Sequence, residues 1–505
     1  MKDYSKLKSG TDVRGVAENI FGKEINLTDE AVRDISAAFV LFLSKKANKE
    51  SENLQISIGH DSRISADRIS EIVSETLFKM GVRVLTCGLC TTPAMFMTTV
   101  DAACDGAVQI TASHHPADRN GLKFFTRDGG LSGENIEEIV QTAGSFRFDF
   151  SKRGTIEPLD FMNTYAAGLR RMIADGLNQS EDKQPLSSFH IVVDAGNGAG
   201  GFYATEVLAK LGADISGSVF LNPDGMFPNH IPNPEDKTAM ASICKAVSDS
   251  NADFGVIFDT DVDRAGCVDS HAEEINRNRL VALAAAIVLE DNPGATVVTD
   301  SVTSAGLKTF IETHLGGHHH RFRRGYKNVI DEAVRLCNNG VDTPLAIETS
   351  GHAALRENYF LDDGAYLITK IIIKLAQLKS EGKSLAQLIS ALGTPSESIE
   401  LRFEIKCDDF KAYGARVISE LERFCTSKEN CKIADDNHEG IRISVGDGWF
   451  LLRLSVHDPL MPMNVESDHI GGTAEILYEL YDFFKAQSFL DITPLENMLK
   501  LGRGN

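Results

Sequence analysis

The sequence predicts an α/β protein of several domains with a smaller α+β domain at its C-terminal end. Its 505 residues are too many for one compact core and correspond to about three or four domains. Short apolar strands that end in Gly or Asp alternate with helical patterns through most of the chain, which is typical of β-α units with mainly parallel sheets. From about Glu397 the order changes to strand, helix, two strands and helix, which indicates an α+β domain.

The predicted elements follow this order along the chain. In the α/β part we predict strands at Gln55–Gly59, Val82–Leu85, His190–Asp194, Phe254–Phe258, Thr296–Thr299 and Leu345–Ile347, and helices at Glu71–Met80 and Ala204–Leu211. In the C-terminal part we predict a helix at Asp409–Phe424, strands at Ile441–Ser444 and Trp449–Leu452, and a final helix at Thr473–Ala486. Boundaries near Gly154, Ala272 and Pro395 give domains 1–154, 155–271, 272–394 and 395–505.

The composition is that of a globular protein. Hydrophobic residues make up 42% of the chain and charged residues 24%, which are ordinary proportions for a soluble domain. No apolar run reaches the ~18 residues that a membrane helix needs, and Met1–Tyr4 is not followed by the apolar segment of a signal peptide. The nine cysteines are scattered, and buried thiols in a reducing cytoplasm are favoured over a redox or metal role for the Cys87–Cys90 pair. We expect a cytoplasmic protein without a membrane partner.

The net charge of −21 opposes binding of nucleic acid, because the surface as a whole repels a polyanion. A small phosphorylated ligand can still bind where basic groups converge. The one dense basic run is His318–Arg324, with Lys327 just beyond it. This run is either a solvated loop or part of an anion site, and composition alone leaves both interpretations open.

The first motif with chemical potential surrounds Ser113. A predicted strand ends at Gln109–Ile110, and Ser113 follows in a turn rich in small residues and histidine. Lys123 returns ten residues later, after Gly121, where a loop can bring it beside the serine. A serine hydroxyl needs a base or a metal to act as a nucleophile. Most serines in turns are only turn formers, so this motif alone does not establish catalysis.

The second motif is Asp259-Thr260-Asp261-Val262-Asp263-Arg264, directly after an apolar strand. Three carboxylates at alternate positions repel one another unless a cation offsets their charge. Mg²⁺ prefers a few carboxylates together with phosphate oxygens and water. The spacing therefore favours a metal-binding loop over an acidic turn.

Two further polar loops follow predicted strands. The first is Glu348-Thr349-Ser350-Gly351-His352, whose carboxylate and hydroxyl suit vicinal sugar hydroxyls. The second contains Arg453, Ser455 and His457, and its Arg and Ser suit a phosphate dianion. Each loop is a weak signal by itself.

Taken together, the four motifs resemble the α-D-phosphohexomutase superfamily in order and spacing over nearly the whole chain. Further matching segments are Gly10–Gly15, Gly59–Arg63, Pro223–His230 and Pro232–Glu235. The resemblance implies three consecutive α/β domains with mixed sheets and a C-terminal α+β domain around a central cleft. It implies a mutase that interconverts hexose 1-phosphate and hexose 6-phosphate of glucose or mannose, through a phosphoserine and a bisphosphorylated sugar.

The resemblance also implies a role for individual residues. Catalysis would involve Ser113, Lys123, Arg14 and His114, and the Mg²⁺ ligands would be Asp259, Asp261, Asp263 and the phosphoryl group on Ser113. Substrate contacts would come from Arg264, Lys327, Glu348, Ser350, His352, Arg453, Ser455 and His457. The implied cofactors are Mg²⁺ and a hexose 1,6-bisphosphate. The implied partner is a phosphorylated hexose, bound by a monomer or homodimer.

The chain departs from the superfamily pattern mainly in the fourth motif. Leu454, Val456, His457 and Asp458 replace the usual Pro, Gly, Thr and Glu, and a second common Arg is absent at Met461–Pro462. His115 replaces an Asn beside the serine, and Ile347 replaces a Gly. Two alternatives therefore stay open beside a glucose or mannose mutase. One is a phosphoglucosamine mutase, and the other is a non-catalytic sugar-phosphate-binding paralogue.

Overall fold

The computed structural model describes residues 2–455 and 458–501. The chain forms two compact units. Unit 1 comprises Met1–Ile287 and Ser350–Leu388, and unit 2 comprises Val288–Thr349 and Ile389–Asn505. The chain therefore leaves and re-enters unit 1, and the end of the third polar loop lies in it from Ser350 onward.

The described residues form twenty-two strands and fourteen α-helices. The strands are β1 (Lys8–Ser9), β2 (Asp12–Val16), β3 (Gln55–His60), β4 (Arg83–Leu89), β5 (Gly106–Ile110), β6 (Arg119–Thr126), β7 (Gly129–Gly130), β8 (Thr155–Pro158), β9 (Ile191–Asp194), β10 (Phe254–Phe258), β11 (Ala265–Asp269), β12 (Glu274–Ile275), β13 (Thr296–Thr299), β14 (His318–Arg321), β15 (Leu345–Ile347), β16 (Ala353–Leu355), β17 (Leu361–Asp362), β18 (Glu397–Glu404), β19 (Cys431–Ile433), β20 (Ile441–Val445), β21 (Gly448–Leu452) and β22 (Leu460–Ser467). The helices are α1 (Asp29–Ala47), α2 (Ala66–Lys79), α3 (Thr92–Asp101), α4 (Gly133–Ser145), α5 (Phe161–Gly176), α6 (Lys237–Ser250), α7 (Asn278–Asp291), α8 (Ala305–Thr309), α9 (Tyr326–Asn338), α10 (Gly364–Ser380), α11 (Leu385–Leu388), α12 (Phe410–Thr426), α13 (Gly472–Lys485) and α14 (Thr493–Leu501).

The largest sheet of unit 1 is mixed. Its strand order is β1-β2-β6-β5-β3-β4-β8, and β7 pairs with β6. Strands β5, β3, β4 and β8 run parallel, whereas β6 is antiparallel to both β2 and β5. The turn between β5 and β6, which contains the predicted nucleophile Ser113, therefore lies at the carboxyl end of the parallel strands.

A second mixed sheet in unit 1 has the order β12-β11-β10-β9. Strands β9 and β10 are parallel, and β11 returns antiparallel to β10. The short connection between β10 and β11 carries the three aspartates of the predicted metal loop. An antiparallel pair, β16 and β17, follows the third polar loop.

Unit 2 contains a parallel sheet and an antiparallel sheet. Strands β14 and β15 both run parallel to β13, which lies between them. The C-terminal sheet has the order β18-β22-β21-β20-β19 and is antiparallel throughout. Both α12 and α13 pack on it, and Val417, Leu477 and Phe450 belong to the core that the helices and the sheet share.

Local side-chain caps explain where several helices begin. The Thr28 hydroxyl accepts a hydrogen bond from the Ala31 amide at the start of α1, and Ser132 and Asn135 form a reciprocal capping box at α4. Asp236 accepts from two amides at the start of α6. Each cap satisfies amides that the first helical turn would otherwise leave without an acceptor.

Most predicted elements are confirmed, one has a different helix type, and the helix predicted to be the last is present but is not the last. Strands β10, β13 and β15 have the predicted bounds, and most of the other predicted elements are within a few residues. The predicted α-helix at Ala204–Leu211 is instead a π-helical turn, Tyr203–Leu208, followed by a 3₁₀ turn. The predicted final helix is followed by a further helix, α14, which packs on α13. Its short amphipathic pattern gains its stability from that packing rather than from its own propensity.

None of the helices in the described part of the chain combines the length and the apolar character that spanning a membrane requires.

Gly121 in β6 allows the backbone of β2 to approach closely. A Cβ atom at this position would lie 2.2 Å from the Val13 carbonyl oxygen and 2.8 Å from the Thr111 carbonyl oxygen. We expect Gly121→Ala to lower the free energy of unfolding of unit 1 by about 1–3 kcal/mol, because backbone atoms cannot move aside as a flexible side chain can. Thermal unfolding followed by circular dichroism measures this as a lower midpoint.

The matched control is Gly168→Ala in α5. No atom lies within 4 Å of a Cβ at this exposed position. Alanine should stabilise the helix by about 0.5–1 kcal/mol. Equal midpoints for the two variants would show that the close approach at Gly121 has no energetic consequence.

Candidate active site

Ser113 lies in a strained turn between β5 and β6. Its backbone φ is 51°, in the left-handed region that non-glycine residues seldom adopt. Two consecutive hydrogen bonds hold it there. The Ser113 amide donates to the Thr111 hydroxyl oxygen at 2.8 Å, and that hydroxyl donates to Asp61 Oδ2 at 2.6 Å. The turn therefore presents the serine hydroxyl from a fixed backbone.

Arg63 stabilises the same turn through hydrogen bonds to its backbone. Its guanidinium donates hydrogen bonds to the carbonyl oxygens of Ser113, His115, Pro116 and Arg119, the last two at 2.8 Å. The side chain is fully buried, and Asp61 balances its charge across 3.3 Å. Four carbonyl groups that point inward would be costly to bury without such a donor.

The hydroxyl of Ser113 meets one negative and one positive group. Ser113 Oγ donates to Asp259 Oδ2 at 3.3 Å, and Arg264 Nη2 donates to Ser113 Oγ at 3.1 Å. Arg264 also donates to Asp259 through Nε at 3.1 Å. The serine, the first aspartate and the arginine thus form one contact group.

The two histidines after Ser113 are neutral. Arg264 Nη2 donates to His114 Nδ1 at 2.6 Å, so this nitrogen acts as an acceptor. Burial, followed by the charge of Arg264, pushes the pKa of His114 far below its ordinary value. Burial and the charge of Arg14 lower the pKa of His115 to about 3. Both imidazoles lie within the field of Arg14, which places that predicted catalytic residue close to the serine turn.

The three aspartates of the metal loop converge. Each of Asp259, Asp261 and Asp263 is buried, and each offers a carboxylate oxygen within 4.8 Å of the others. The turn that brings them together contains Val262 with a φ of 67°. A β-branched residue in this conformation is a genuine outlier and marks a backbone held by its surroundings.

Two side chains from outside the metal loop contact this cluster, one from β6 and one from α3. Lys123 Nζ lies 2.9 Å from Asp261 Oδ2 and 2.5 Å from Asp263 Oδ2. The Thr92 hydroxyl at the start of α3 donates to Asp261 Oδ2. Burial and the charge of Asp263 raise the pKa of Asp259 well above its ordinary value. The pKa of Asp263 is lowered despite its burial, because Lys123 and His352 offset its charge.

The donor set fits a hard divalent cation. Asp261 Oδ1 and Asp263 Oδ1 are buried and have no hydrogen-bond partner among the residues that the structure describes. Buried carboxylate oxygens without a donor are costly unless a cation meets them. Three converging carboxylates, two of which have such an oxygen, could therefore hold a metal ion at this position.

His352 borders the cluster. Its Nδ1 lies 2.6 Å from Asp362 Oδ2 and 3.9 Å from Asp263 Oδ1. Burial lowers its pKa, but the charges of Asp362 and Asp263 outweigh burial and raise it to about 9. Gly351 before it has a φ of 96°, and a Cβ there would lie 2.5 Å from the Ala265 carbonyl oxygen. The glycine of this motif thus lets the loop pack directly on β11.

Some of the predicted substrate-binding residues lie in unit 2. Glu348 Oε1 accepts from the Gly325 amide at 2.5 Å, which joins the third polar loop to the basic run. Lys327 is paired with Asp331, one helical turn further along α9. Ser350 is buried, at the start of the segment that belongs to unit 1.

The fourth polar loop is near the basic run within unit 2. Burial and the charge of Arg324 lower the pKa of Arg453, whereas Glu439 raises it, so both groups lie close to Arg453. Arg453 Nε is buried without a hydrogen-bond partner among the described residues. The Ser455 hydroxyl accepts from the Asp458 amide at 3.2 Å. His457, a predicted substrate contact, lies outside the described residues, as does Val456.

Sequence reasoning missed the residues that support the site. Asp61 and Arg63 were noted only as part of a matching segment, although a buried Asp-x-Arg after a strand is itself a signal of a structured turn. Thr92 could not be recognised as a site residue from the sequence, because threonine is common at the start of a helix. Asn233, whose Oδ1 accepts from Arg264 Nη1 at 3.1 Å, lies in another matching segment.

Comparison with known proteins identifies the family. Residues 6–146, 165–272 and 276–394 match "Phosphoglucomutase/phosphomannomutase, alpha/beta/alpha domain I" and the corresponding domains II and III. The chain is 30% identical over 479 residues to a phosphoglucomutase from Neisseria gonorrhoeae, which covers 94% of this chain and 95% of that protein. The chain belongs to the phosphoglucomutase/phosphomannomutase family.

Other members of the phosphoglucomutase/phosphomannomutase family agree with this assignment. A phosphoglucomutase/phosphomannomutase from Thermococcus kodakarensis is 30% identical over 465 residues, 90% of this chain and 93% of its own length. A solved phosphoglucomutase/phosphomannomutase family protein from Burkholderia thailandensis has the same fold, with a TM-score of 0.78 at 24% identity over 96% of this chain and 98% of its own. The prediction of three consecutive α/β domains with mixed sheets, followed by a further domain with a sheet and helices, is confirmed. So is the prediction of a hexose phosphate mutase.

The aspartate cluster generates a prediction about metal binding. We expect Asp261→Asn to weaken Mg²⁺ binding by at least about tenfold, because a neutral amide is a poorer ligand for a hard cation than a carboxylate. Isothermal titration of the purified variant with MgCl₂ measures the change directly. Asp269→Asn is the matched control, since Asp269 lies at the far end of β11 and accepts hydrogen bonds from local amides. Equal affinities in the two variants would contradict a metal site at the cluster.

Proposed function

We propose that this chain interconverts hexose 1-phosphate and hexose 6-phosphate, with glucose and mannose as the leading sugars, and that Ser113 carries the transferred phosphoryl group. The observation that carries the proposal is the position of Ser113 Oγ between Asp259 Oδ2 at 3.3 Å and Arg264 Nη2 at 3.1 Å. A phosphoryl group on this oxygen would meet a cationic guanidinium and the edge of the aspartate cluster.

The aspartate cluster would hold Mg²⁺ beside that group. Asp259, Asp261 and Asp263 would supply the protein ligands, and an oxygen of the phosphoryl group on Ser113 would supply another. When bound, Mg²⁺ would neutralise negative charge on the phosphoryl oxygens during transfer. Arg264, which already contacts both Ser113 and Asp259, would orient the same oxygens.

The reaction would proceed in two transfers. In the first, a sugar hydroxyl oxygen bonds to the phosphorus, the bond from phosphorus to Ser113 Oγ breaks, and the hydroxyl proton passes to a protein base. The sugar then carries two phosphates. In the second, Ser113 Oγ bonds to the phosphorus of the other phosphate, the bond from that phosphorus to the sugar oxygen breaks, and the sugar oxygen takes up the proton that the protein base holds. A hexose 1,6-bisphosphate would therefore be both intermediate and activator.

Proton movement would fall to residues around the turn. Lys123 contacts two of the aspartates, and Arg14 influences both histidines of the turn. We assign both to proton transfer and charge balance at the sugar hydroxyl. His114 has its Nδ1 lone pair engaged by Arg264, so it would position the arginine rather than accept a proton there.

The sugar and its standing phosphate would be held by the two other polar loops. Glu348, Ser350 and His352 would contact ring hydroxyls. Arg453 and Ser455 would contact the non-reacting phosphate, and Arg324 would add the second cation that the altered loop lacks. Support comes from the closeness of Arg324 to Arg453, since a phosphate dianion beside these two half-buried guanidinium groups would reduce the repulsion between them.

The geometry argues against a non-catalytic paralogue. A protein that only bound a sugar phosphate would not need a strained serine turn, four carbonyl contacts from Arg63, or three buried carboxylates. The proposed compartment is the cytoplasm, because all nine cysteines are free thiols, as is usual in reducing compartments.

The nucleophile assignment predicts the behaviour of Ser113→Ala. Turnover of hexose 1-phosphate, measured by a coupled assay with a catalytic amount of bisphosphate, should fall to less than about a hundredth of the wild-type rate, because no other atom replaces Oγ. Ser62→Ala, at a neighbouring serine outside the turn, is the control and should keep most of the activity. A Ser113→Ala variant with wild-type turnover would overturn the proposed function.

The phosphate assignment predicts the behaviour of Arg453→Ala. KM for the hexose phosphate should rise by at least about tenfold, the effect of losing a charge-assisted contact of roughly 1.5–3 kcal/mol. Arg324→Ala should raise KM in the same direction. Arg423→Ala, on the exposed face of α12, should leave KM unchanged. An unchanged KM in both Arg453→Ala and Arg324→Ala would place the phosphate handle elsewhere.

A further inference from the structure

A buried histidine in unit 1 lies outside every predicted site. His230 belongs to the loop of residues 222–235, which we call the His230 loop. Its side chain is 1% exposed, and its Nε2 lies 3.0 Å from both carboxylate oxygens of Asp194 at the end of β9. Its other ring nitrogen, Nδ1, lies 2.9 Å from the Ile231 carbonyl oxygen.

Both neighbours of the ring can only accept hydrogen bonds. A carbonyl oxygen has no proton to give, and the Asp194 carboxylate already accepts from the Gly196 amide at 2.9 Å and the Ser242 hydroxyl at 2.7 Å. Each ring nitrogen must therefore carry a proton. With Asp194 ionised, the geometry favours a buried imidazolium.

The groups around the ring agree with a positive charge. Asp194 faces it from β9, and Asp236 acts on it from the start of α6, while the edge of Phe220 packs at 5.5 Å between ring centroids. Burial lowers the pKa of His230, but the hydrogen bond and the charge of Asp194 outweigh burial and keep the pKa above its ordinary 6.5.

Asn233 connects the His230 loop to Arg264, which contacts the reacting serine. Asn233 lies three positions after His230, and its Oδ1 accepts from Arg264 Nη1 at 3.1 Å. The opposite nitrogen of the same guanidinium, Nη2, donates to Ser113 Oγ. Between His230 and Asn233 the chain packs tightly on the turn that follows β9. A Cβ on Gly196 in that turn would lie 2.8 Å from Pro232. This close packing restricts movement of the chain between His230 and Asn233.

We infer that His230 is a positioning residue for the phosphoryl transfer: its imidazolium ties the His230 loop to Asp194, and the loop in turn orients Arg264 through Asn233. The inference rests on the proposed function, because it takes Arg264 to act on the phosphoryl group of Ser113. When His230 loses a proton, one of its two hydrogen bonds is lost, and Asn233 holds Arg264 less firmly.

The sign of the pH effect follows. The imidazolium is fully present below the ordinary pKa of 6.5 and is lost as the pH rises through the higher pKa of the folded protein. We expect kcat of the wild-type enzyme to fall on that alkaline side. KM should change little, since the contact of Arg264 is with the serine oxygen and not with the standing phosphate.

The experiment measures kcat and KM against pH for wild type, His230→Gln, Asn233→Ala and the double variant, all with saturating Mg²⁺. Glutamine cannot donate from two sides of a ring, so His230→Gln should lower kcat about fivefold to tenfold at neutral pH and remove the alkaline fall. Asn233→Ala should remove the same fall although His230 still titrates. The double variant should be no slower than the slower single variant.

His190→Gln is the matched control. His190 lies just before β9, and the Nε2 of its half-buried ring donates to the Ser216 carbonyl oxygen at 2.7 Å. This variant should keep the wild-type pH profile. A folding defect in His230→Gln does not remove the test, because Asn233→Ala addresses the same link without touching the imidazolium.

Three results would overturn the inference: an alkaline fall that persists in Asn233→Ala, one that persists in His230→Gln, or losses in kcat that multiply in the double variant. The Ser113→Ala variant distinguishes failure of this inference from failure of the proposed function. Full turnover in Ser113→Ala would overturn the function itself. Loss of turnover there, combined with an unaltered pH profile in Asn233→Ala, would overturn only the role of His230.

Discussion

The burial of opposite charges at one point organises unit 1. Asp259, Asp261 and Asp263 are withdrawn from water, and Lys123 and Arg264 are buried with them. Such a group is stable only when every member is held in good geometry, since an unpaired buried charge is strongly destabilising. The two mixed sheets of unit 1 therefore have to meet at this point, with Lys123 supplied by one and the aspartates by the other.

The same constraint explains why so much of the surrounding chain is rigid. Ser113 and Val262 occupy left-handed conformations that other contacts must enforce. Arg63 enforces the first through its carbonyl contacts, and the packing of the metal loop enforces the second. Preorganised charge of this kind needs little rearrangement as a phosphoryl group moves, which is how such sites accelerate transfer.

The sequence was most informative where strands end in polar residues. Strands β10, β13 and β15 were predicted with their bounds because each is a short apolar run between polar residues, and the aspartate and serine motifs follow from that pattern. The contacts that hold the motifs in place were not predictable. Thr92 contacts Asp261 from 169 positions away, and the four acceptors of Arg63 are backbone atoms that leave no trace in side-chain identity. The π-helical turn at Tyr203–Leu208 was missed because its composition does not differ from that of an α-helix.

The central claim is that the phosphoryl group is carried on Ser113 Oγ. The most direct measurement is mass spectrometry of the enzyme after brief exposure to hexose 1,6-bisphosphate and Mg²⁺, with peptides prepared in acid. The account predicts an acid-stable phosphate on Ser113 that disappears when hexose phosphate is added. A phosphate on His114, which acid would remove, or a competent enzyme that never acquires a covalent phosphate, would contradict it.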